Sequence, residues 1–272
     1  MSAPVGKSLR FPFGANWRRF LETVDDRIID EAVHSLRVQL GTDSLAQRTF
    51  LDLGSGSGLF SLAAWRLGAC VVSVDLDPES VACTAELKRR AGGEESRWRV
   101  IHGSALDQQF LQSLGQFDIV YSWGVLHHTG ALWQGLDNAA RCTGLGGLLW
   151  VAIYNDQGRA SRRWKWLKRW YNRLPYGCKW LVWGPSLVRL WGPTMVRDLL
   201  RLQPLATWNS YHGHRGMNAW YDVIDWVGGY PFEVAKPEQV FSFLADRGFR
   251  LLHMKTCGGG IGCNEFVLRR ES

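Results

Sequence analysis

Between residues 17 and 41 the apolar positions Phe20, Leu21, Val24, Ile28, Ile29, Ala32, Val33 and Leu36 recur every three or four residues, the period of one amphipathic helix that Gly41 stops. Beyond it, short apolar runs alternate with helical stretches. TFLDLG reads as a strand, LFSLAAWRLG as a helix ending on Gly68, and ACVVSVDL as a second strand. There follow a helix from Pro78 to about Arg90, the strand WRVIHG, a helix near 107–114, the strand FDIVYSW, a helix near 131–142 and the strand LLWVAIYN. Such alternation with short connections predicts a parallel sheet with helices on both faces. Pro237 opens another helix that ends at Gly248, and FRLLHMKTC and CNEFVLRR, joined by GGGIG, predict an antiparallel hairpin whose first strand runs parallel to the others.

One stretch breaks the alternation. RRWKWLKRWYNRL places Trp164, Leu167, Tyr171 and Leu174 at helical spacing, with Arg162, Arg163, Lys165, Lys168, Arg169 and Arg173 on the remaining, solvated circumference. The following CKWLVWGPSLVRLWGPTMVRDLL keeps that character, but Gly184-Pro185 and Gly192-Pro193 predict several short helices. Residues 207–234 show no sustained period, yet concentrate Tyr211, His212, His214, Arg215, Trp220, Asp222, Asp225, Trp226, Tyr230 and Glu233. Exposed linkers are rarely so aromatic, so this stretch reads as a lid over an acceptor pocket or as a loop packed on the sheet. The resulting division is an N-terminal helical segment or lid (1–44), a core (45–156 and 235–272) and a basic, tryptophan-rich cap insertion (157–234).

Charge sharpens the picture of the cap. The chain of 272 residues carries a formal +7, but residues 159–201 hold eleven basic residues against Asp198 alone, a local +10 that leaves −3 elsewhere. Six of the fifteen tryptophans lie in the same segment. A basic amphipathic helix suits an anionic membrane surface, with indoles at headgroup level. It also suits nucleic acid, with arginines on phosphates, or a plain cap with a solvated basic face. The six cysteines form no C-x-x-C pair, so free thiols in a reducing cytoplasm are expected, including Cys257 and Cys263 beside GGGIG. His212 and His214 lack the partners of a zinc site. No signal peptide and no membrane-spanning run is read, which predicts a cytoplasmic protein, at most peripheral on a membrane.

The chemistry concentrates after the first strand. In LDLGSGSG, Gly54, Gly56 and Gly58 let the backbone approach a ligand and adopt dihedrals closed to other residues, with Ser55 between them. Asp75 ends the second strand about twenty residues on, where it can accept both hydroxyls of a ribose, and Leu76 follows it. Asp77 and Asp107 read as helix caps. Asp52 before the turn, the G-S-G-S-G spacing, Asp75, the segment FDIVYSWGVLHH and the terminal hairpin together resemble the class I S-adenosylmethionine-dependent methyltransferases. The likeness runs over roughly residues 45–155 and 236–270, and within the class it points to the ubiquinone-biosynthesis type of O-methyltransferase. The resemblance implies a Rossmann-like, doubly wound α/β sheet ending in a hairpin, with S-adenosyl-L-methionine as cofactor. It implies that Asp52 helps to hold the methionine end through its surroundings. The family's acidic adenine contact is replaced by HGSALD, so Ser104 and the backbone at Ala105 are expected there. Trp17, in FPFGANW, is a candidate lid.

Ligands of open α/β sheets sit at the carboxyl ends of the strands. That rule selects Trp123, His127 and His128 after the fourth strand, Tyr154 and Asn155 after the fifth, and Asn264 and Glu265 at the hairpin tip; Tyr211, His214, Arg215 and Trp220 join them from the aromatic stretch. His127 and His128 suit a general base or a positioning role. The expected reaction is methylation of a small, hydrophobic or aromatic acceptor, with oxygen favoured. The alternatives are an RNA or ribosome methyltransferase, supported by the cationic segment, and a non-catalytic adenosyl-binding, membrane-associated module. The N-P-P-Y-type motif of base-amine methylation is replaced by SWGVLHH.

Overall fold

In the computed structural model, which describes residues 11–210 and 219–272, the short apolar runs form the strands β1 (Thr49–Leu53), β2 (Cys70–Asp75), β3 (Trp98–His102), β4 (Phe117–Trp123), β5 (Thr143–Tyr154), β6 (Phe249–Lys255) and β7 (Cys263–Arg270). They make one sheet in the order β3-β2-β1-β4-β5-β7-β6. The first five are mutually parallel, and β7 runs antiparallel to both β5 and β6. The hairpin tip therefore lies at the edge where β1 to β5 end.

The helices are α1 (Gly14–Thr23), α2 (Asp26–Leu40), α3 (Leu59–Arg66), α4 (Pro78–Arg90), α5 (Gln108–Leu114), α6 (Leu132–Cys142), α7 (Arg159–Arg173), α8 (Trp180–Leu200), α9 (Ala206–Asn209), α10 (Ala219–Gly228) and α11 (Pro237–Ala245). On one face of the sheet Phe50, Val71, Tyr121 and Trp150 pack against Ile29 and Leu36 of α2, Leu62 of α3 and Leu87 of α4. On the other, Leu51, Val120, Leu149 and Phe266 meet Leu111, Leu136 and Leu244. Each such side chain contributes roughly 1.5–3 kcal/mol by leaving water. Residues 13–157 with 233–272 form this sheet-bearing unit, so α1 and α2 belong to it; residues 158–232 form a second, helical unit in which α10 packs on α7 and α8. No described helix is long and apolar enough to cross a membrane.

Four expectations are corrected. The single helix over 17–41 is two, because Val24 is extended and the Asp25 side chain caps a new start by accepting from Ile28 N. The Gly-Pro pairs do not break α8, which runs unbroken through Pro185 and Pro193. A residue before proline is driven from the helical region partly by its Cβ, and glycine has none, so that part of the penalty is relieved; the lost hydrogen bond and the contact of each ring with the carbonyl four residues back remain. Lys168 is not on the solvated face: it is fully buried, its ammonium bonding the Trp226 carbonyl and lying 4.3 and 4.6 Å from the Trp226 and Phe232 ring centres. The stretch thought to lack a period contains the ten-residue helix α10.

Candidate cofactor and acceptor site

The turn after β1 is shaped by its glycines. Gly54, Gly56 and Gly58 all have positive φ (93°, 55° and 82°). A Cβ on Gly54 would stand 2.4 Å from both Val125 methyls, and one on Gly56 would stand 2.9 Å from the Trp17 ring. Thr84 of α4 fastens the turn from beneath: its hydroxyl is 3.0 Å from that of Ser55 and donates to the Gly56 carbonyl at 3.2 Å. Gly54 N and Ser55 N both donate to the Val74 carbonyl. Asp75, at the end of β2, accepts from Gly56 N on one oxygen and Asp77 N on the other, each at 2.9 Å. Each oxygen keeps a second lone pair for a ribose hydroxyl. Burial raises the Asp75 pKa, opposed by those backbone donors.

Asp52 does not reach the surface. Its carboxylate accepts from Ser61 at 2.6 Å, Ser61 lies 2.6 Å from Ser73, and Ser73 accepts from the Trp98 indole at 2.8 Å. Burial pushes the Asp52 carboxyl up to about 7, with Ser61 pulling down and the Asp75 charge adding to the rise.

After β2, His102 Nε2 lies 2.9 Å from the Leu76 carbonyl, and Leu76, next to Asp75, is 40% exposed. Ser104 Oγ accepts from Leu106 N at 3.1 Å and keeps its own proton to donate. Asn138 of α6 takes the Ala105 carbonyl at 2.9 Å. Asp77 and Asp107 cap α4 and α5 through Glu79 N and Phe110 N.

Helix α1 lies across this cradle. Gly14 N donates to Asp77 at 2.9 Å, Arg18 pairs with Glu79 at 3.1 Å, and Trp17 covers Gly56. Just before the helix, the Phe13 ring centre lies 4.9 Å from that of His128, the two rings tilted by 49°. The positive-φ turn and the Asp75 carboxylate beside it suit the ribose of an adenosyl group, while the Trp17 ring closes directly on Gly56 and fills the space a Cβ there would take.

The two histidines sit in different surroundings. His127 is fully buried; its Nδ1 accepts from Tyr154 N at 3.3 Å and its ring stacks 3.7 Å from Tyr154. Its own carbonyl takes Glu233 N, while the Glu233 carboxylate accepts from Leu132 N at the start of α6. His128 is half-buried between Phe13 and Tyr154.

Sheet register sorts the acceptor candidates by face. Asp52 pairs with Tyr121, Trp123 with Ala152, and Ala152 with Glu265. With alternation along each strand, Asp52, Trp123, Tyr154 and Glu265 therefore share one face. Asn155 and Asn264 are on the other and fasten the glycine loop: Asn264 donates to Asn155 at 3.1 Å and accepts from Cys257 N at 3.2 Å, and Asn155 donates to the Gly260 carbonyl at 3.2 Å. Trp220 belongs to the helical unit, edge-on to Trp183 at 4.8 Å. Tyr211, His214 and Arg215 lie outside the described residues. Thr84, Ser61, Ser73, Val125 and Phe13 were not singled out from sequence; no local signal marks them, since each reaches the site only through the fold.

Residues 51–151 match the model of a methyltransferase domain. The ribosomal protein L11 methyltransferase of Alteromonas mediterranea is 48% identical over 52 residues, 19% of this chain and 18% of that protein. The ubiquinone biosynthesis O-methyltransferase of Methylobacterium sp. is 28% identical over 178 residues, 59% of this chain and 70% of that enzyme. The chain thus spans about a fifth of the first relative's length. The solved magnesium protoporphyrin IX methyltransferase of Synechocystis, with bound SAH, superposes with a TM-score of 0.53 over 94% of this chain and 93% of that one, at 15% identity, a likeness of fold.

Proposed function

We propose, on the premise that this chain carries a class I S-adenosylmethionine-dependent methyltransferase domain, that it methylates a small, hydrophobic or aromatic acceptor, at oxygen in preference to nitrogen or carbon. The observation that carries this reading is the ring cluster of Phe13, His127, His128 and Tyr154 beside the glycine turn. The long alignment with an O-methyltransferase of ubiquinone biosynthesis supports it. When bound, the cofactor supplies an electrophilic methyl group on a sulfonium. The chain's task is then to orient the acceptor, exclude water and receive a proton.

His127 is the positioning residue. A neutral imidazole that accepts at Nδ1 carries its proton on Nε2, so this buried ring is a poor base and a rigid support for its neighbours. His128 suits the base: unlike His127 it is only half-buried, and it would take the proton that an acceptor hydroxyl loses as its oxygen is methylated. Trp123 and Tyr154 offer an apolar wall on the shared face.

The test is turnover of labelled S-adenosylmethionine with the full chain against an extract separated into organic-soluble, water-soluble small-molecule and RNA or ribosome fractions. Label is expected in the organic-soluble fraction, in a base-stable ether. Label in the RNA or ribosome fraction would refute the reading in favour of the class to which the shorter-matching relative belongs.

A further inference from the structure

The most unusual surface belongs to the helical unit. Helix α8 spans 21 residues, about 30 Å. One side is used: Val182, Ser186, Trp191 and Asp198 are buried. The opposite side carries Leu181, Val188, Val196 and Leu199, which are 52%, 69%, 57% and 63% exposed. At 100° per residue these four fall within about 80° of one another, with Pro185 between them, so they form one continuous apolar stripe along the helix. Beside it, α7 exposes Trp166 and Trp170, with ring centres 5.7 Å apart, and Trp180 is exposed at the start of α8.

Between α7 and α8 runs a groove of about 760 Å³ in which Arg159, Arg162, Arg163 and Arg189 surround Trp166 and Leu181. Among the described residues no ion pair neutralises these four arginines.

We propose that this unit docks on the surface of an anionic phospholipid bilayer, with α8 lying in the interface plane. The exposed aliphatic stripe enters the acyl boundary, the indoles rest at headgroup depth and the groove arginines hold lipid phosphates. The pairing of features selects the occupant. Nucleic acid would satisfy the arginines but leave a 30 Å aliphatic stripe in water. A second copy would cover the stripe but bring two segments of local charge +10 together. An acidic lipid surface satisfies both the charge and the stripe, and docking needs no membrane-spanning helix.

The experiment is co-sedimentation of the full chain with vesicles of phosphatidylcholine alone or mixed with phosphatidylglycerol, beside the variants Arg162→Glu/Arg163→Glu and Val188→Glu/Val196→Glu. All four positions are exposed, and circular dichroism checks that each variant folds. Partitioning onto the mixed vesicles is expected to exceed that onto phosphatidylcholine by roughly tenfold or more, to fall in high salt, and to drop at least roughly tenfold in each double variant. Brominated lipid should quench wild-type fluorescence, and less so after Trp180→Phe. Equal partitioning onto the two vesicle types, absence of binding, or variants that bind as wild type would overturn the proposal. So would a concentration-dependent dimer that Val188→Glu/Val196→Glu abolishes without changing lipid binding, or RNA binding in place of lipid binding. Methyl transfer is not read, so the outcome is independent of the acceptor assignment.

Discussion

Replacing Asp52 by asparagine isolates the cost of burying an acid under the cofactor turn. Asp52 is 2% exposed and its carboxyl is pushed from 3.8 to about 7, chiefly by burial. An acid whose pKa is higher in the folded than in the unfolded chain favours folding fully below the unfolded value, and that contribution is lost as pH rises toward the folded one. A rise from 3.8 to about 7 corresponds, at about 1.4 kcal/mol per pH unit, to roughly 4 kcal/mol lost between pH 4 and 7, with a plateau above. Asparagine mimics the neutral acid and can still accept from Ser61, so Asp52→Asn should lack this slope. Groups that do not interact with Asp52 titrate alike in both proteins and cancel in the difference, leaving Asp52 and its smaller coupling to Asp75. Urea unfolding of both chains without cofactor at pH 5, 6, 7 and 8 should show the stability of the variant relative to wild type climbing to pH 7, by about 2–4 kcal/mol in total, and then levelling. A flat difference across that range would show that Asp52 is ionised in the folded chain, and the argument from burial would fail.

Three further outcomes are expected. Asp75→Ala should weaken S-adenosylmethionine binding in calorimetry by about 10- to 100-fold, the loss of charge-assisted hydrogen bonds to a sugar; unchanged affinity would remove Asp75 from the site. Gly54→Ala should destabilise the chain by about 2–3 kcal/mol through the collision with Val125 and its φ of 93°, and adding Val125→Ala should recover only the collision. If thermal melts show no recovery, the contact is misassigned. His128→Gln should lower kcat roughly 100-fold with little change in KM and abolish the acid limb of the pH–rate profile, whereas His127→Gln should chiefly lower Tm. Equal effects of both on kcat, with the limb intact, would exclude His128 as base.

The glycine turn and the caps Asp77 and Asp107 were legible because local rules encode them: a glycine is needed where φ is positive, and an acid before a helix finds its own backbone donors. The parallel sheet followed from alternation, and the hairpin from GGGIG. What escaped depended on distance or on an exception to a rule. Lys168 was counted as solvated because charge ordinarily is; its partners Trp226 and Phe232 come some sixty residues later. Helix α8 escaped because the expected break depends partly on a Cβ that Gly184 and Gly192 lack. Asn155 and Asn264 sit in the right place for a ligand, yet their amides fasten the loop, which only the register of β5 against β7 reveals.

The bonds from Trp98 through Ser73 and Ser61 to Asp52 have one direction. The indole can only donate, so Ser73 must accept there and pass its single proton to Ser61, which in turn gives its own to the carboxylate. Aligned in this way, the three bonds polarise one another. An engineer trimming Trp98 on the outermost strand to phenylalanine, as a harmless swap of one large apolar ring for another, would be altering the acidity of a group two strands inward. Tolerance to substitution in this half of the sheet is thus set by hydroxyl bookkeeping as much as by volume.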